Sequence, residues 1–141
     1  MAIATGNPSN TRALLDQNYV KTVTLPTGTG GVSISPSLDL LQAAPWPSVE
    51  RVILDLKIPA TPALASAGTL TATIQDSSDD ATFTAIASLN TTVSTAAGGG
   101  GPAVETQYAL PIGTRRYVRV RIVQTGTGDN SAVSAILQLQ F

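Results

Sequence analysis

Three segments of this chain alternate apolar and polar residues with a period of two, and no segment of comparable length follows a helical period. In residues 49–58, Val52, Leu54, Leu56 and Ile58 point one way while Asp55 and Lys57 point the other. In residues 69–76, Leu70, Ala72 and Ile74 share a side, opposite Thr69, Thr71, Thr73 and Gln75. In residues 116–124, Val118, Val120 and Ile122 face inward, and Arg119, Arg121 and Val123 face outward. Side chains of a strand alternate between the two faces of a sheet, so each segment reads as a strand with one buried face.

The breaks between strands are equally regular. Strands are expected at 19–25, 32–35, 49–58, 69–76, 82–92, 104–110, 116–124 and 132–141. Pro26, Pro36, the pair Pro59 and Pro62, and Pro111 stop four of them, and glycine or Asp/Ser turns separate the rest. Residues 37–47 form a connection holding Leu38, Leu40 and Leu41. In 82–92 the pattern puts Phe83, Ala85, Ala87 and Leu89 on one side. Residues 96–102, with Gly98 to Gly101 in succession, are expected to be a mobile surface loop. In 132–141, Leu137, Leu139 and Phe141 share a face. About eight short strands leave no room for the crossover segments that parallel strands need. The expected fold is therefore all-β, a single-domain antiparallel β-sandwich of jelly-roll type, over residues 19–141. Residues 1–18 read as an irregular N-terminal arm, with a short helical turn compatible with 12–17.

The chain has 141 residues, a length that suits one domain. It contains neither His nor Cys. That excludes Ser-His-Asp and Cys-His catalysis, a disulfide framework and cysteine-based zinc sites. Neither glycine run fits a phosphate cradle: Gly28, Gly30 and Gly31 lack a following Lys-Ser/Thr, and Gly98 to Gly101 does not stand between a strand and a helix. Asp76, Asp79 and Asp80 could serve calcium or hydrolysis, but their spacing does not fit the calcium loop, and a hairpin turn is favoured. No catalytic, cofactor or metal site is expected. A formal charge of −1 argues against direct nucleic-acid binding. No continuous apolar run is long enough to cross a membrane, and residues 1–10 lack the layout of a secretory signal. Charged residues are only 12% of the chain, which points to a surface covered by copies of itself or by a partner.

The most distinctive local feature is residues 115–121, which hold four of the eight cationic residues: Arg115, Arg116, Arg119 and Arg121, with Tyr117 among them. Alternation places Arg119, Arg121 and Tyr117 outward and Arg115 at the strand entrance. The favoured reading is a solvated face paired with carboxylates of a neighbouring strand, such as Asp55. A subunit or partner contact comes second, because Arg and Tyr are enriched where binding energy concentrates. Nucleic acid comes third. Trp46, between Pro45 and Pro47, is either a lid over one end of the sandwich, the favoured role, or an anchor in a partner pocket.

The stretch Gly68-Thr-Leu-Thr-Ala-Thr-Ile-Gln-Asp-Ser-Ser-Asp-Asp-Ala-Thr-Phe83 carries a family resemblance. So do Leu110-Pro-Ile-Gly-Thr-Arg-Arg-Tyr-Val-Arg-Val-Arg-Ile122 and the turn Thr125-Gly-Thr-Gly. Over residues 49–141 the chain resembles the jelly-roll cement, or decoration, proteins of tailed bacteriophages of the Bordetella phage type. It departs from the expected pattern in the turn after Asp76-Ser77, where Asp80-Ala81 stands in place of a glycine. The resemblance implies a structural protein without catalysis. It would bind the outside of an icosahedral shell, across subunits of the major capsid protein, as a dimer or trimer, in a virion assembled in the host cytoplasm. The alternative is a receptor- or glycan-binding module of a phage tail or adhesin, although such sites usually offer aromatic platforms and aromatics are 4% here. A hydrolase built on Asp79 and Asp80 ranks third.

Overall fold

The computed structural model describes residues 20–40, 53–95 and 97–140. Nine strands run in chain order: β1 (Val20–Thr24), β2 (Val32–Ile34), β3 (Leu38–Asp39), β4 (Ile53–Ile58), β5 (Thr69–Ser77), β6 (Thr84–Ser94), β7 (Val104–Ala109), β8 (Tyr117–Thr125) and β9 (Ser134–Gln140). They form two sheets, one of order β1-β9-β4-β7 and one of order β2-β8-β5-β6 with the two-residue β3 also on β8. Every pairing is antiparallel.

The partnerships describe one long hairpin rolled on itself. β1 pairs β9, β2 and β3 pair β8, β4 pairs β7, and β5 pairs β6. Only β5 and β6 are neighbours in both sequence and sheet, so the turn between them is the tip of that hairpin. With β2 and β3 taken as one interrupted strand, this is the eight-stranded jelly roll expected from the alternation. The arm at 1–18, residues 41–52 with Leu41 and Trp46, and Phe141 lie outside the described residues.

The core follows the alternating sets. Leu54, Leu56, Ile58, Ala135, Leu137 and Leu139 from one sheet meet Leu70, Ala72, Ile74, Val118, Val120 and Ile122 from the other, all essentially inaccessible to water. Each large side chain of this set contributes about 1.5–3 kcal/mol by leaving water. The connection after β2 adds Leu38 and Leu40 to the same core. Tyr108 on β7 reaches across to hydrogen-bond Thr91 on β6, tying the sheets together.

Polar side chains fix the loops. The Gln124 amide, fully buried, donates to the Gly126 and Gly128 carbonyls at 3.0 and 2.9 Å, and its oxygen accepts from the Asn130 amide at 2.8 Å. That network shapes the β8–β9 turn from within.

Three expectations need correction. The glycine run is docked and not a free loop: Gly100 N–H donates to the Leu64 carbonyl, and Thr61 and Gly101 exchange both backbone bonds. The φ angles of Gly98, Gly99 and Gly100, 94°, 85° and 84°, are reached readily only by glycine. The face assigned to 82–92 is also out of phase. Ala85 and Ala87 are exposed, Ile86 packs on the core, and Leu89 and Val93 pack beyond it. A bulge shifts the register between Thr73↔Asn90 and Gln75↔Ala85, and Ser88 sits at φ 69° within it. An extra-residue insertion changes which side chains face the core, and period-two reading across it fails.

The third correction concerns Asp55. It does project from the outer side of the β1-β9-β4-β7 sheet, between Gln138 and Gln107, yet it is 0% exposed. It lies on the opposite sheet from the arginine strand and so does not pair with it. Lys57 on the same strand places its Nζ 3.8 Å from the carboxylate. Burial lifts the Asp55 carboxyl above its ordinary range, Glu105 adds to the rise, and Lys57 opposes it.

Candidate functional site

The outward face of the β2-β8-β5-β6 sheet collects most of the predicted site residues. On β8 it presents Tyr117, Arg119, Arg121 and Val123; opposite them stand Ser77, Gln75, Thr73 and Thr71 of β5. β2 continues the face with Ile34 beside Arg121 and Val32 beside Val123. Asp76 of β5 turns inward, and the carboxylate that the strands of this sheet turn outward is Asp39 of β3, opposite Tyr117.

The four arginines have different fates. Arg115 enters from the end of the sheet: its backbone N–H donates to Asp76 Oδ2 at 2.9 Å, and Nη2 donates to Asp76 Oδ1 at 2.7 Å and to its carbonyl at 2.9 Å. Arg116 grips Asp39 with Nε and Nη2, at 2.7 and 2.9 Å, and its guanidinium lies 5.1 Å from the Tyr117 ring centre. Arg119 donates from Nε to Gln75 Oε1 at 2.9 Å and covers the Phe83 ring at 3.8 Å. Burial lowers the Arg119 pKa. Arg121 makes no hydrogen bond or ion pair with any described residue.

The reading of this segment as paired with neighbouring carboxylates therefore holds for Arg115 and Arg116, with Asp76 and Asp39 as the partners. The sequence reading missed Val32, Ile34 and Phe83. Val32 and Ile34 are 45% and 44% exposed, and the polarity of β2 is inverted, with Ser33 and Ser35 turned inward. Ser35 explains the inversion: its hydroxyl accepts from Val120 N–H at 3.0 Å inside the sandwich. A valine and an isoleucine alternating with serines were the available signal, but only the pairing with β8 fixes their direction.

The Asp76/Asp79/Asp80 group forms a turn. Asp79 Oδ1 accepts from Ser77 Oγ at 2.8 Å and from Ala81 and Thr82 N–H at 3.0 Å each. These bonds hold its pKa at about 2. Asp80 adopts φ 59°, the conformation for which a glycine was expected. Among the described residues, no three His, Cys, Asp or Glu side chains gather as metal ligands.

What the fold and this face define is a jelly-roll protein with an arginine-rich outer sheet face whose strands turn Asp39 outward, in the grip of Arg116. Residues 35–137 match the Bbp16 family model, and the chain belongs to that family, which is of the Bordetella phage type; it is a bacteriophage-related protein. Among curated proteins none matches significantly. Solved structures give loose likenesses. The PBSX exported protein XepA is 16% identical, with a TM-score of 0.49, over 85% of this chain and 35% of XepA. The N-terminal cellulose-binding domain of Cellulomonas fimi β-1,4-glucanase C is 12% identical, with a TM-score of 0.41, over 86% of this chain and 74% of that domain. Murine APRIL is 8% identical, with a TM-score of 0.42, over 87% and 98%. The chain thus spans about a third of XepA. At these identities and scores the likenesses say nothing of activity.

Proposed function

We propose that this protein is a capsid cement protein, a decoration subunit that binds the outer surface of a phage icosahedral shell and spans neighbouring major capsid protein subunits. The observation that carries this reading is the Bbp16 family match over residues 35–137, joined to the cement-protein resemblance of the 68–83 and 110–122 motifs. The geometry supports it. The described chain is a sandwich with a continuous apolar core, and the outer face of its five-stranded sheet offers side chains from several strands to another surface.

In this role no bond is made or broken. A module of this size offers about 800 Å² to a partner, a modest contact. A dimer or trimer engaging several shell subunits gains from effective concentration, so release requires several contacts to fail together.

The test is decoration itself. Purified protein is mixed with capsids that lack it, and bound copies are counted by sedimentation and located by electron cryo-microscopy. Ordered density on the outer shell and greater resistance to heating are expected. Absence of binding, turnover of a substrate, or saturable binding on a glycan array would overturn the reading.

A further inference from the structure

We propose that Arg121, Val32, Ile34 and Val123 form the patch through which this protein meets the shell, and that the shell supplies a carboxylate there, set among apolar side chains. This rests on the cement-protein reading above. Three of the arginines in 115–121 are already satisfied by Asp76, Asp39, and Gln75 with Phe83. Arg121 is the exception, and it lies directly opposite Ile34 on the neighbouring strand. Three exposed large hydrophobic residues are present among the described residues, and two of them share its face: Ile34 opposite it and Val32 opposite Val123.

An exposed β-branched pair beside an arginine that is unpaired among the described residues is the composition of a contact centre: apolar area supplies the driving force, and the charge supplies register. Covering Arg121 without a counter-charge is unfavourable, so the partner must bring one. A second copy presenting the same face is a poor source, because the acidic side chain that its strands turn outward, Asp39 of β3, is already held by Arg116 through two hydrogen bonds. Nucleic acid would satisfy the arginine but offers no apolar complement to Val32 and Ile34.

The experiment compares capsid binding of the wild type, Arg121→Glu, the double variant Val32→Thr with Ile34→Thr, and Thr22→Glu on the opposite sheet. Circular dichroism and urea midpoints verify folding; the threonine substitutions suit a strand and guard against a misfolded charge variant. Arg121→Glu and the double variant are expected to lose about tenfold or more in affinity, with Thr22→Glu unchanged. Raising salt should weaken the wild type more than Arg121→Glu. If the wild type itself fails to bind capsids, the cement reading falls. If the wild type binds and the patch variants bind equally, the cement reading stands and this patch is wrong. Variants that alter only self-association in light scattering, or only retention on duplex DNA, would also overturn it.

Discussion

Arg115 closes on Asp76 with both its backbone and its side chain, so the last inward residues of β5 and the entrance of β8 are joined at one carboxylate. Asp76 is 8% exposed, and its removal would leave the Arg115 N–H without its partner. Asp76→Ala is expected to destabilise the fold by about 2 kcal/mol, read from the urea midpoint. Arg116 and Asp39 form an equally short pair, but both side chains are about a third exposed. Arg116→Ala is expected to leave the midpoint close to that of the wild type, since water replaces such contacts readily.

The turn at the tip of the rolled hairpin has an acid signature. The folded-state pKa of Asp79 lies below its ordinary 3.8, at about 2. A depressed carboxylate contributes stability above the unfolded pKa, and that contribution is lost as pH falls toward 2. Asp79→Asn should therefore melt below the wild type at pH 7, with the gap narrowing between pH 4 and pH 2 in thermal scans.

Two glycines with positive φ should respond differently to alanine. At Gly128 (φ 119°) a Cβ would collide with the Ala63 carbonyl, while at Gly98 (φ 94°) it would meet nothing within 4 Å. Gly98→Ala carries only conformational strain, about 1 kcal/mol, whereas Gly128→Ala adds a backbone clash and should cost more than about 2 kcal/mol. Denaturant titration of both variants separates the two contributions.

The core was legible wherever a strand kept strict alternation. β4, β5, β8 and β9 bury the sides their sequences indicated, because those strands run unbroken across the sandwich. β6 was misread because one bulge at Ser88 reverses the phase midway. β2 was uninformative because three residues cannot display a period, and Ser33 and the following Ser35 face inward. The strand order was invisible: the rolled hairpin joins β1 to β9 and β2 to β8, and such distant pairings leave no local trace. The same limit applied to the contact face. The arginine run was conspicuous, but which arginines are occupied depends on Asp39, Gln75 and Asp76, and Asp39 stands 77 residues away from its partner.

The bulge at Ser88 has a meaning for any two copies of this chain that come to lie side by side. β6 is the longest strand, eleven residues, and borders its sheet with β5 as its sole described strand partner. An uninterrupted border of that length would accept a stray strand from any adjacent molecule. Broken at φ 69°, it offers two short, misaligned pieces instead. Copies packed side by side can then stay separate objects and do not knit into a fibre.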